Sequence, residues 1–205
     1  ACTGDSCRTS CTSNSHCASG YYCNTGLGQC QEMANPGTPC TLDDQCASNF
    51  CRDGYCCNND CSGPCRACNL TGNQGTCSYH SQGTDPESDC GVCQYCSSSG
   101  TCSNVPNGTD PLGDCDQDLA STCQRDGECN GGGACRMWAA GTVCLAQTCA
   151  DGGSTSTVYW NDTCSGGGVC ADGGESSCGA YRCDDAGFGC RTSCTLDSHC
   201  ASGRY

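Results

Sequence analysis

The chain has no lysine. All eight of its cations are arginine, set against 22 acidic residues for a formal net charge of −14. So acidic a surface excludes nucleic acid as a main partner, because phosphate recognition needs the opposite sign. Phenylalanine and tryptophan occur twice each, too few for an ordinary aromatic core. No run approaches the roughly 18 apolar residues of a membrane span, and no leader-like stretch is present, so a targeting signal is expected on precursor sequence. The missing lysine fits resistance to trypsin-like attack, with composition bias as the plain alternative.

What is abundant is cysteine: 32 in 205 residues, far above the level at which a chain reads as a disulfide scaffold. Without its cysteines, the 36% hydrophobic fraction shrinks to about a fifth of the chain. Ordering each residue costs on the order of 1.5 kcal/mol, which so few apolar side chains cannot offset by burial. Cross-links must supply the difference, and such cysteine usage points to an oxidising compartment, extracellular or at the cell surface.

The second feature is repetition. Cys7 to Tyr22, CRTSCTSNSHCASGYY, returns as Cys190 to Tyr205, CRTSCTLDSHCASGRY, with 13 of 16 positions identical at an offset of 183 residues. A unit that reopens at its own end belongs to a tandem array. Cys2 corresponds to Cys183 with a two-residue slip, so 28 cysteines precede Cys183. That even number is compatible with full pairing, although Cys194 and Cys200 are open to partners in a following repeat.

Six segments follow. Residues 1–36 hold Cys2, Cys7, Cys11, Cys17, Cys23 and Cys30 in small polar surroundings without a helical stripe. After the linker Ala34 to Pro39, residues 37–61 repeat that module in shorter form with Cys40, Cys46, Cys51, Cys56, Cys57 and Cys61. The neighbours Cys56 and Cys57 are expected to bond different partners and tie two modules together, since a vicinal ring strains its peptide. Residues 62–90 carry Cys65, Cys68, Cys77 and Cys90, and residues 91–115 carry Cys93, Cys96, Cys102 and Cys115; each holds a Gly-Thr-Asp-Pro turn, at Gly83 and Gly108. Residues 116–182 are glycine-rich and contain Cys123, Cys129, Cys135, Cys144, Cys149, Cys164, Cys170 and Cys178. Here Met137, Trp138, Val143, Leu145, Val158, Tyr159 and Trp160 are the expected apolar cluster. Residues 183–205 begin the next repeat with Cys183, Cys190, Cys194 and Cys200.

A smaller signature, Gly-x-Cys, recurs at Gly28, Gly54, Gly75, Gly100, Gly133 and Gly168. Glycine before a strand supplies the positive φ of a tight hairpin, after which x and Cys face opposite sides. The expected fold is therefore a set of small disulfide-rich modules of short β-hairpins and loops with little helix, arranged as an elongated tandem-repeat rod. Hairpins this small are marginal alone in water, which makes the cystines necessary.

Motifs for chemistry are thin. Cys65-x-x-Cys68 and Cys93-x-x-Cys96 have the spacing of a zinc ribbon, and Cys90, Cys93 and Cys96 are laid out like part of an iron–sulfur run, but the secreted context favours cystines. No CxxCH occurs for c-type haem. Asp114, Asp116 and Asp118 open like an EF-hand loop, yet Leu119 stands where glycine is needed and Arg125 where glutamate is needed. Calcium is thus a weak candidate, at these residues or at the turns of Asp85, Asp89, Asp110 and Asp114, beside a plain solvated acidic surface. His16 and His199 occupy one repeat position and His80 is the only other histidine; without a nucleophile motif the chain is not read as an enzyme. N-x-[ST] sequons stand at Asn69, Asn107 and Asn161, potential glycan carriers.

The pattern C-x5-C-ASG-YYC, the run Phe50 to Cys68, the Gly-Thr-Asp-Pro turns and C-x-GGGACR-x-x-AAGT-x-C together resemble the cysteine-rich tandem repeats of large secreted or surface proteins of myxobacteria and related bacteria. The resemblance spans about Cys7 to Tyr205 and implies a bacterial extracellular repeat protein. Similarity to EGF-like and disintegrin-like modules is limited to cysteine spacing. The preferred expectation is a structural protein of an extracellular fibre, contacting neighbouring repeats or copies of itself and carrying glycans; the rival is an adhesive module that binds glycan or protein through acidic loops.

Overall fold

The computed structural model describes residues 10–152 and 154–204, with the backbone of the two-residue strands Cys2–Thr3 and Ser6–Cys7. Two compact halves, Ala1–Ser103 and Asn104–Tyr205, divide the chain. Among the described residues there is no α-helix, only single 3-10 turns at Asn14–His16, Asp43–Gln45, Ala120–Thr122 and Asp197–His199. No helix among the described residues is long and apolar enough to cross a membrane. Among the described residues, strands of two to five residues form eight small sheets, six two-stranded and two three-stranded.

The hairpins are short because their turns recur so often. Each of the six Gly-x-Cys glycines has positive φ, from +66° at Gly28 to +86° at Gly133. In the hairpin Tyr21–Asn24 with Gln29–Glu32, Cys23 lies opposite Cys30; in Cys51–Arg52 with Tyr55–Cys56, Cys51 lies opposite Cys56. Cys129 faces Cys135 and Cys164 faces Cys170 in the same way. None of these facing pairs is bonded to itself. Directly opposed residues share one face of the ladder, so both sulfurs emerge together and a third segment must receive them. Each hairpin acts as a two-pronged staple.

Cysteine is consequently the core. Cys46, Cys56, Cys57, Cys65, Cys68, Cys93, Cys96, Cys123 and Cys129 are completely buried, joined by few others such as Ala67, Val105 and Val158. The apolar cluster expected in residues 116–182 forms only in part. Trp138 packs on Cys123, Cys144 and Cys164 and donates its indole N–H to the Asp118 carbonyl at 3.0 Å, whereas Val143, Leu145, Tyr159 and Trp160 are exposed. The sulfurs already fill the interior of these thin sheets, and the alternate face has no layer to cover it.

Candidate functional site

Three copies of one small loop recur, at Cys11–Cys17, Cys40–Cys46 and Cys194–Cys200. Each wraps a 3-10 turn. The side chain four residues after the threonine folds back on it: His16 Nδ1 accepts the Thr12 amide at 3.2 Å, Gln45 Oε1 accepts the Thr41 amide at 2.7 Å, and His199 Nδ1 lies 3.1 Å from the Thr195 hydroxyl. The third loop residue reaches forward. Asn14 Oδ1 accepts the Cys23 amide at 2.8 Å and Asp43 Oδ1 accepts the Cys51 amide at 2.7 Å. In the first two copies the cysteines bond in a 1–3, 2–4 pattern: Cys11–Cys23 with Cys17–Cys30, and Cys40–Cys51 with Cys46–Cys56. Cys194 instead bonds Cys200.

Beyond Cys57 the bonding changes to a ladder. One set of disulfides closes each module on itself: Cys61–Cys77 and Cys90–Cys102 in the first half, Cys115–Cys135, Cys144–Cys170 and Cys178–Cys190 in the second. A second set joins each module to the next: Cys57–Cys68 and Cys65–Cys96, then Cys123–Cys164 and Cys149–Cys183. Cys93 and Cys129 are also disulfide-bonded. Among the described residues no cysteine is free. The vicinal residues Cys56 and Cys57 accordingly serve different modules. Bonded loops thus run from Cys61 to Cys77 and from Cys90 to Cys102, overlapping the segment limits at 61/62 and 90/91, and two disulfides cross the limit at 182/183.

The two sets touch. Cys65 Sγ lies 3.4 Å from Cys90 Sγ, and Cys149 Sγ 3.8 Å from Cys178 Sγ, so these two joining disulfides stack on neighbouring closing disulfides. Three of the donor cysteines, Cys65, Cys93 and Cys123, are left-handed, with φ of +60°, +56° and +55°. Cysteine rarely adopts that backbone, and nothing in residue type foretells it.

A backbone clamp holds the receiving cysteine. Gly83 N–H donates to the Cys96 carbonyl at 3.0 Å while the Cys96 amide donates to the Thr84 carbonyl at 2.8 Å. The same pair of bonds joins Gly37-Thr38 to Cys56, Gly108-Thr109 to Cys129, and Gly141-Thr142 to Cys164. All four glycines have φ between +81° and +89°, the third position of a tight turn. Where no Gly-Thr precedes, a carboxylate takes the amide: Asp53 Oδ2 accepts Cys68 N–H at 2.6 Å and Asp151 Oδ1 accepts Cys183 N–H at 3.0 Å. The sequence marks two of the four Gly-Thr pairs as repeated turns, at Gly83 and Gly108, and the uneven distance from each pair to its cysteine, 13 to 23 residues, leaves the clamp itself without a sequence signal.

The acidic turns serve the backbone. Asp85 accepts the amides of Asp89 and Cys90, and Asp110 those of Gly113, Asp114 and Cys115. Asp89 Oδ2 accepts the Cys65 amide at 2.8 Å. Of the EF-hand-like residues, Asp118 Oδ2 takes both the backbone amide and the Nε of Arg125 at 3.1 and 3.0 Å. That pairing, led by the Arg125 side chain, holds its carboxyl below the usual range. Asp116 is exposed and Asp114 lies in the Asp110 turn. The zinc-ribbon cysteines Cys65, Cys68, Cys93 and Cys96 are all disulfide-bonded and offer no thiolate. His80 is buried, with Nε2 3.5 Å from a Glu87 oxygen. Asn69, Asn107 and Asn161 are exposed and outside strands.

Chemically, the arrangement is one of covalent connection: disulfides that cross the segment limits at 61/62, 90/91 and 182/183 in pairs, capable of forming by oxidation or reshuffling by thiol exchange. Compared with protein-family models, curated proteins and solved structures, the chain matches none.

Proposed function

We propose that this chain is a structural protein of an extracellular fibre, built from tandem disulfide-stapled repeats of about 183 residues in an elongated array. One observation carries the reading. Joining disulfides link successive modules within each half, and in the second they continue, by Cys149–Cys183 and Cys178–Cys190, into the segment that reproduces the chain's opening. A covalent string of modules that contact chiefly their neighbours is a quasi-one-dimensional solid, suited to carrying tension and resisting proteases. Its partners are neighbouring repeats or further copies of itself. The exposed sequons at Asn69, Asn107 and Asn161 suit a glycosylated outer surface, and the abundance of cystines suits a place outside the cell.

The adhesive reading, with calcium in the acidic loops, gains nothing from Asp85 and Asp110, whose carboxylates are spent on their own turns. Electron microscopy of native material in strong denaturant tests the proposal. Continuous filaments should persist without reductant and dissolve when it is added. Isolated flexible strings under native conditions would favour the binding module.

A further inference from the structure

The two ends of the chain hold the same antiparallel pairing. Cys2 lies opposite Cys7 across the strands Cys2–Thr3 and Ser6–Cys7, and Cys183 lies opposite Cys190. Cys7 and Cys190 are equivalent by the repeat, and Cys2 matches Cys183 with the two-residue slip. In the second copy the facing cysteines do not bond each other. Cys183 bonds Cys149 and Cys190 bonds Cys178, with Cα separations of 5.7 and 5.3 Å.

We infer that Cys2 and Cys7 are the receiving half of an inter-repeat weld, bonded in the assembled protein to Cys149 and Cys178 of a preceding copy of the same repeat. This rests on the tandem-array reading and specifies its joint: two adjacent disulfides cross every repeat boundary.

The donor side is built for the task. Cys149 stands on the strand Thr148–Gly152, and its amide donates to the Gly187 carbonyl at 2.8 Å. Asp151, on the same strand, accepts the Cys183 amide and the Ser156 hydroxyl through one oxygen, at 3.0 and 2.5 Å. Gln147 Nε2 donates to the Phe188 carbonyl at 2.5 Å. Strand, carboxylate and amide thus grip the Cys183–Cys190 loop from one side while the two sulfurs of the donor, 3.8 Å apart, reach its two cysteines. Six residues separate Cys183 from Cys190 and four separate Cys2 from Cys7. The difference falls in the loop beyond the paired cysteines, leaving the receiving pair itself unchanged.

Each weld bond forms as two thiols lose two protons and two electrons to an oxidised dithiol carrier, which leaves as the reduced dithiol. If instead Cys2 begins bonded to Cys7 and Cys149 to Cys178, exchange started by the thiolate of a small thiol, which is released again at the last step, reaches the same product with no net redox change.

The arginines give a direct test. Cys2 and Cys7 lie in the segment ACTGDSCR that ends at Arg8, and Cys149 and Cys178 lie together in the fragment Met137 to Arg182. Native, unreduced protein is alkylated, digested with trypsin and then with pepsin at acid pH, which also cuts the chain ahead of Ala1, and analysed by mass spectrometry. The account expects the fragment ending at Arg8 to remain attached until reductant is added, and partial reduction to show it joined to a Met137–Arg182 fragment. Release before reduction as an internally bonded loop, or attachment to any other cysteine, overturns the inference. The filament assay separates this from the fibre reading. Release with filaments present removes the weld alone, release without filaments removes both, and attachment without filaments keeps the weld and removes the fibre.

Discussion

Gly100 has no room for a side chain: a Cβ there would overlap the Tyr79 ring, and its φ is +72°. At Gly141 the φ is similar, +87°, but nothing lies within reach of a Cβ. Gly141→Ala therefore carries backbone strain alone, about 1 kcal/mol, whereas Gly100→Ala adds a clash and should cost about 2–3 kcal/mol. Equilibrium unfolding of the oxidised proteins in guanidinium should rank them in that order; equal losses would contradict the close approach of the Tyr79 ring to Gly100. The carboxylates give a second residue-scale test. Asp151 is held below the usual range first by the Ser156 hydroxyl, then by the Cys183 amide; Asp43 first by the Cys51 amide; Asp60 first by the Arg52 side chain. Depressed folded-state values mean stability that is present above the unfolded aspartate value, near 3.9, and lost as pH falls through the lower folded values. Melting temperature should thus hold steady from neutral pH to about pH 5 and decline below about pH 4. Asp151→Asn should shrink that acid-dependent loss, and an unchanged pH profile would show that the carboxylate does not grip the junction.

The three C-T-x-x-x-[His/Gln]-C loops explain at element scale why two different side chains share a position. His16 and Gln45 each present an acceptor to the threonine amide. His16→Gln should be near neutral and His16→Ala should cost about 1 kcal/mol, read from the unfolding midpoint; equal loss in both variants would assign the histidine another role. The hairpins themselves were legible in the sequence, because Gly-x-Cys names its own conformation: positive φ at glycine, then a cysteine on or beside the returning strand, buried at Cys56 but exposed at Cys30 and Cys170. The bonding partners were not. Cys65 and Cys123 owe their aim to left-handed backbones that cysteine does not advertise, and Asp53 and Asp151 replace the Gly-Thr clamp from 15 and 32 residues away. The exposure of Leu145 and Trp160 was equally hidden, since apolar residues signal a core only where there is a second layer to close it.

At the scale of the whole molecule, order comes from covalent links between neighbours. Cys65–Cys96, Cys123–Cys164 and Cys149–Cys183 close loops of 31, 41 and 34 residues, each removing about 3–4 kcal/mol of unfolded-chain entropy when taken singly. With so little apolar burial beside them, full reduction should abolish the fold, seen as loss of amide-exchange protection at Cys56, Cys96, Cys129 and Cys164. Protection surviving in reductant would mean that packing, not covalent topology, holds the modules. A continuous fibre is tested most directly by electron cryo-microscopy of native, unreduced material. The account predicts filaments whose axial period corresponds to one 183-residue repeat, with unbroken density leading from residues 190–204 into a hairpin equivalent to Tyr21–Glu32. Discrete particles, or a period unrelated to that repeat, would contradict it.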